Sequence, residues 1–90
     1  MEIIYFRWDE DILSQIARQG IKPDEIEEIA FEDYPYIRRG KRGRRYLYGQ
    51  TMGGRFLFVV YVLSSEKIAQ VITAREMDEK ERKLYLRRGK

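Results

Sequence analysis

Phe56-Leu57-Phe58-Val59-Val60-Tyr61-Val62-Leu63 is apolar at every position and lacks the alternation of a strand with one wet face. A run this short, built of β-branched and aromatic residues, fits a strand covered on both sides, hence the centre of a sheet. Met52-Gly53-Gly54 before it supplies a hairpin turn, and Ser64 to Lys67 after it a polar one. Its neighbours in sequence are therefore expected to be its neighbours in space. Upstream, Tyr46 and Tyr48 share one face of a strand with Arg45 and Leu47 on the other. Downstream, Ile68, Val71 and Ile72 lead a last strand to Thr73-Ala74-Arg75.

The rest of the chain supplies helices around that meander. Ile3 to Trp8 is β-branched and aromatic, a first strand, with Phe6 and Trp8 read as packing anchors ahead of base-stacking platforms. Asp9 can cap a helix whose first turn holds Glu10 and Asp11, whose apolar stripe is Ile12, Leu13, Ile16 and Ala17, and which Gly20 ends. Pro23, followed by Asp24 and Glu25, opens a second helix that Asp33-Tyr34-Pro35 breaks. Asp78-Glu79-Lys80-Glu81 is a capping box for a C-terminal helix running through Arg88. The predicted order β-α-α-β-β-β-α is an α+β two-layer fold, residues 1–90 forming one domain: a mainly antiparallel sheet with a helix-hairpin crossover and a C-terminal helix.

Composition narrows the chemistry. A hydrophobic fraction of 43% excludes a disordered chain, and 37% charged residues keep the surface wet. Cys and His are both absent, so thiol nucleophiles, thiolate metal sites and the commonest general base are unavailable. No metal or other cofactor is expected. The longest apolar run is far short of the roughly 20 residues that span a bilayer, and Met1-Glu2-Ile3 carries no basic leader. The expectation is a cytoplasmic protein with no membrane partner.

Charge is distributed unevenly. Residues 1–33 hold ten carboxylates against three basic groups, whereas residues 34–55 hold seven basic groups and no acidic one. Six of the seven (Arg38, Arg39, Lys41, Arg42, Arg44 and Arg45) fall within eight residues punctuated by Gly40 and Gly43, which reads as a mobile hairpin loop. So dense a cationic run is the footprint of a phosphate or carboxylate partner, and guanidinium groups favour bidentate contacts. The run Arg82, Lys83, Arg87, Arg88 and Lys90 either extends that patch or complements the helix end.

Several short motifs fall in one order: Phe6-x-Trp8-Asp9, Gly20-Ile21, Arg45 followed by Gly49-Gln50-Thr51, Gly54-Arg55 leading into Leu57 to Tyr61, and Ile72-Thr73-Ala74-Arg75 followed by Glu81-Arg82 and Tyr85. In that order the chain resembles the BrnT toxins of the RelE-like ribonuclease group, over almost its whole length. The resemblance implies a type II toxin: an endoribonuclease that inhibits translation, neutralised by a cognate ribbon-helix-helix antitoxin and reaching operator DNA only through that complex. One departure stands out. Members commonly carry Lys-His-Gly where this chain has Arg18-Gln19-Gly20.

RNA cleavage without a metal needs the 2′-hydroxyl activated, charge on the phosphorane neutralised and the 5′-oxygen protonated. Arginines held on rigid structure can supply the neutralisation, and Arg55 and Arg75, at strand ends, are the candidates. Glu81, Tyr85, Tyr48 and Lys41 are the candidates for proton transfer. Arg75 is read equally as a structural ion pair with Glu76 or Glu81. The alternatives to a toxin are a non-catalytic RNA- or antitoxin-binding module on the same fold and a partner that folds fully only with another chain.

Overall fold

A computed structural model describes residues 3–88. The elements in order are β1 (Tyr5–Arg7), α1 (Glu10–Arg18), α2 (Pro23–Phe31), β2 (Tyr36–Arg39), a single 3-10 turn (Lys41–Gly43), β3 (Arg44–Gln50), β4 (Phe56–Leu63), β5 (Ile68–Glu76) and α3 (Glu79–Leu86). The five strands form one sheet in the order β1-β5-β4-β3-β2, with β1 parallel to β5 and every other pair antiparallel. The apolar strand β4 is its centre, as its uninterrupted hydrophobicity requires.

Two helical layers cover the sheet unequally. One face packs α1 and α2 through Ile12, Ile16, Ile26 and Ile29 onto Leu47, Leu57, Val59 and Tyr61. Gly49 makes this contact possible, since a Cβ there would lie 2.6 Å from the Cβ of Ile29. On the other face α3 sits over a smaller cluster of Tyr48, Phe58, Val60, Met77 and Tyr85. The rest of that face has no helix above it among the described residues, and Tyr36, Tyr46 and Ile72 are half-buried.

The helix ends obey their local chemistry. The Asp9 carboxylate accepts from Ile12 N at 2.8 Å, and Gly20 takes φ +71° just past the end of α1, a conformation glycine adopts without penalty. In α3 the capping box closes in both directions: Glu81 N donates to Asp78 at 2.8 Å, and Asp78 N donates to Glu81 at 2.9 Å.

The structure departs from the sequence reading in the cationic stretch. Arg38 to Arg45 is not one loop: Arg38 and Arg39 lie in β2 and Arg44 and Arg45 in β3, paired Arg38 to Tyr46 and Arg39 to Arg45, and only Gly40 to Gly43 turns. A strand this basic is viable because β2 is an edge, where long cationic side chains reach water and discourage pairing with stray strands. In β5 the buried positions Ile68, Ala69, Val71 and Ala74 do not keep a period of two. The pairing slips between Val60 and Tyr61, so Thr73 opposes Val60 while Val71 opposes Tyr61, leaving Ile72 as the extra residue of a bulge.

Candidate functional site

Part of the arginine-rich hairpin shares the α3-covered face: Arg38 and Arg44 lie on it, whereas Arg39 and Arg45 lie on the side of α1 and α2. Directly paired residues of antiparallel strands share a face. Tyr36 opposes Tyr48, Arg38 opposes Tyr46, Tyr48 opposes Phe58 and Phe58 opposes Arg75, so these side chains lie on the side of α3. The rings form a continuous cluster, Tyr36 to Tyr48 at 5.6 Å, Tyr48 to Phe58 at 5.0 Å and Tyr46 to Phe58 at 5.8 Å between centroids, in which Tyr48 and Phe58 are buried and Tyr36 and Tyr46 half-buried. The Arg75 guanidinium lies over the Phe58 ring at 4.6 Å from its centroid.

Arg75 is held in place by α3. Its two terminal nitrogens donate to the two carboxylate oxygens of Glu81 at 2.7 and 2.8 Å, a fork that hydrogen bonding to Glu81 uses to push the guanidinium pKa above its ordinary value. Glu81 in turn is fixed by the capping box. Arg75 remains about 42% exposed, so one side of the guanidinium faces solvent. Burial raises the Tyr48 hydroxyl above its ordinary pKa against the opposing pull of Arg38, so it stays protonated near neutrality. Arg38, Tyr48, Arg75 and Glu81 are thus one electrostatic group.

Arg55 is not part of it. Its guanidinium donates to Glu25 of α2 at 2.9 and 3.1 Å, to Glu76 at 2.9 Å and to the carbonyl of Gly20 at 2.8 Å, on the side of the sheet that carries α1 and α2. The pairing expected between Arg55 and Arg75 is absent because the two residues project from opposite faces. Arg55 instead ties the β3–β4 turn, α2 and the end of β5 together.

Tyr85 has a comparable tying role. It is 2% exposed, and its hydroxyl donates to Asp33 at 2.7 Å. Burial first, then the hydrogen bond to Asp33, pushes its pKa up to about 12. Arg88 stacks 3.7 Å from the ring centroid and donates to the carbonyl of Tyr34 at 2.6 Å. Lys41 and Arg42 occupy the exposed hairpin tip, where Arg42 (φ 59°) and Gly43 (φ 74°) are both left-handed. Of the C-terminal basic run, Arg82 lies over Phe56, Lys83 pairs with Glu79, and Lys90 lies outside the described residues.

Trp8 and Phe6 are packing residues: the rings stack at 5.6 Å and the Trp8 indole donates to Glu27 at 3.0 Å. Sequence reasoning missed Tyr36 and Phe58 as members of the site. The period-two pair Tyr36 and Arg38, mirrored by Tyr46 and Tyr48, was the available signal.

No family model matches the chain, and no curated protein matches it. The arrangement is nonetheless that of a known class: an α+β fold of the BrnT type, with a helix hairpin on one face of a five-stranded mixed sheet and a short helix on the other. A solved structure that shares it is the ribonuclease toxin BrnT of Brucella abortus, with a TM-score of 0.67 and 19% sequence identity, over 83% of this chain and 97% of that one. Among the described residues no helix is long and apolar enough to cross a membrane, and no group of three or more carboxylates could hold a metal ion.

Proposed function

We propose that this protein is the toxin of a type II toxin–antitoxin pair, an endoribonuclease that cleaves mRNA in the cytoplasm and so inhibits translation. The observation that carries this reading is the cationic, aromatic α3-side surface, on a fold shared with a ribonuclease toxin. Aromatic rings beside arginines are how a protein holds single-stranded nucleic acid: here bases stack on the half-buried Tyr36 and Tyr46, and phosphates pair with the guanidiniums. Arg38, Arg39, Lys41, Arg42, Arg44 and Arg45 draw the strand in, and Lys41 at the tip serves affinity ahead of proton transfer.

Arg75 and Glu81 carry the chemistry. Glu81 takes the proton of a 2′-hydroxyl, whose oxygen attacks the adjacent phosphorus. The bond from phosphorus to the 5′-oxygen breaks, and the protonated Tyr48 supplies that oxygen with its proton. The products are a 2′,3′-cyclic phosphate and a 5′-hydroxyl. Arg75, shifting from Glu81 toward the phosphorane, neutralises its developing charge, so guanidinium does the work that a metal does elsewhere. The partner is an acidic ribbon-helix-helix antitoxin whose carboxylates replace RNA phosphates, and through it the complex reaches operator DNA.

A second reading has its own support. Glu81 is engaged by both Arg75 and Asp78 N, which suits a static brace, and on that footing the protein binds RNA or antitoxin without cutting. End-labelled single-stranded RNA incubated with the purified protein in excess chelator decides between them. Fragments ending in cyclic phosphate support the toxin; salt-sensitive binding with intact RNA supports the binding module.

A further inference from the structure

The side chains of Arg38 and Arg39 are used in the reading above, but neither the backbone edge of β2 nor the hollow beside it is. β2 ends the sheet, so one row of its backbone N–H and C=O groups has no strand partner among the described residues. Next to it a hollow of about 400 Å³ is lined by Ala30, Phe31, Asp33, Tyr34, Pro35 and Ile37. Phe31, the last residue of α2, is 45% exposed, and Tyr34, in the connection to β2, is 85% exposed. Arg39, Lys41 and Arg42 pair with no carboxylate among the described residues. Charge alone would keep a bare edge from sticking to other strands, but that protection does not need an aromatic hollow beside it.

We propose that β2 and this hollow accept an extended acidic segment of a partner protein as a sixth strand. The alternation of β2 sets the pattern of that segment. Ile37 and Arg39 point to the helix side with the hollow, and Arg38 points to the other face. A strand laid along β2 therefore places an apolar side chain opposite Ile37, over the hollow, and carboxylates opposite Arg38 and Arg39. A second copy of β2 does not meet this demand, because its own arginines would face Arg38 and Arg39. RNA does not meet it either, since a phosphate backbone cannot continue the ladder of amide hydrogen bonds. The inference rests on the partner half of the reading above and is independent of cleavage.

The probe is a capped synthetic peptide in which two glutamates precede a leucine and a threonine, titrated into the whole protein and followed by amide chemical shifts. Shifts centred on residues 30–39 are expected. Tyr34→Asp and Arg39→Glu, both at exposed positions, should each weaken binding about fivefold, the effect of one cross-strand pair. The decisive control is N-methylation of alternate peptide backbone nitrogens: one alternate set should abolish binding and the other leave it intact, because only every second N–H of a strand faces β2. Equal tolerance of both sets, absence of binding, or shifts centred on Tyr46 and Phe58 would overturn the proposal. If the peptide fails while RNA is still cut, only this inference falls. If it pairs in that alternating way while RNA stays intact, only the cleavage reading does.

Discussion

Two groups of basic residues in this chain differ in what holds them. Arg55 and Arg75 stand on rigid elements and have carboxylate partners: Arg55 is held by Glu25, Glu76 and the Gly20 carbonyl, Arg75 by the Glu81 fork. Arg39, Lys41, Arg42 and Arg44 reach no carboxylate among the described residues. The difference follows from where the acidic residues lie. The acidic first third of the chain folds onto the α1/α2 side, where it neutralises Arg55, whereas the hairpin projects from the opposite edge of the sheet with no carboxylate in its own stretch. A carboxylate partner fixes an arginine in place: Arg55 is tied between elements of the fold, whereas Arg75 is pre-positioned by Glu81 with its guanidinium still partly exposed, and the unpaired residues keep a charge available to a ligand.

The largest expected effect probes the unpaired group. Replacing Arg39, Lys41, Arg42 and Arg44 together by Gln should reduce the slope of log affinity for single-stranded RNA against log salt by roughly 3, since each phosphate contact on a single strand contributes about 0.7. Fluorescence anisotropy across a salt series measures it, and an unchanged slope would break the contrast between the two groups. Gly49→Ala tests the packing that seats the acidic layer. With Ile29 in the way of the new Cβ, urea unfolding should show a loss of about 1–3 kcal/mol.

Tyr85 gives a pH signature to the tied region. Its folded pKa of about 12 lies above the ordinary value of 10.0, so its contribution is complete below pH 10 and is lost as pH rises toward 12. Tyr85→Phe should flatten the fall in melting temperature across that window. The smallest effect is at the hairpin tip: Arg42→Gly removes a left-handed non-glycine residue and should stabilise by up to about 1 kcal/mol while slightly weakening RNA binding.

Much of this was legible beforehand, for physical reasons. The central position of β4 follows from its unbroken hydrophobicity, and the helix boundaries follow from Asp9, Gly20, Pro23 and the Asp78–Glu81 box, all of which act through neighbours a few residues away. The fork between Arg75 and Glu81 was legible for the same reason. What was not legible depends on contacts distant in sequence. Nothing local to Arg55 says that Glu25, thirty residues away, will bind it, and nothing local to Tyr85 announces Asp33. Strand β2 was hidden because an edge strand can be polar and basic, which erases the hydrophobic signal by which strands are read. The aromatic cluster was hidden because its members come from three strands whose register the sequence leaves open.

If Arg75 acts on RNA while Arg55 holds the fold, one paired measurement separates their roles. Arg75→Ala and Arg55→Ala are compared for cleavage of labelled RNA and for melting temperature under the same conditions. The expected result is that Arg75→Ala loses cleavage by about a hundredfold or more with a small change in melting temperature. Arg55→Ala should melt lower, by the equivalent of about 1 kcal/mol, and still cleave below its melting point. A folded Arg55→Ala protein that no longer cuts, beside an Arg75→Ala protein that does, would contradict this division of roles.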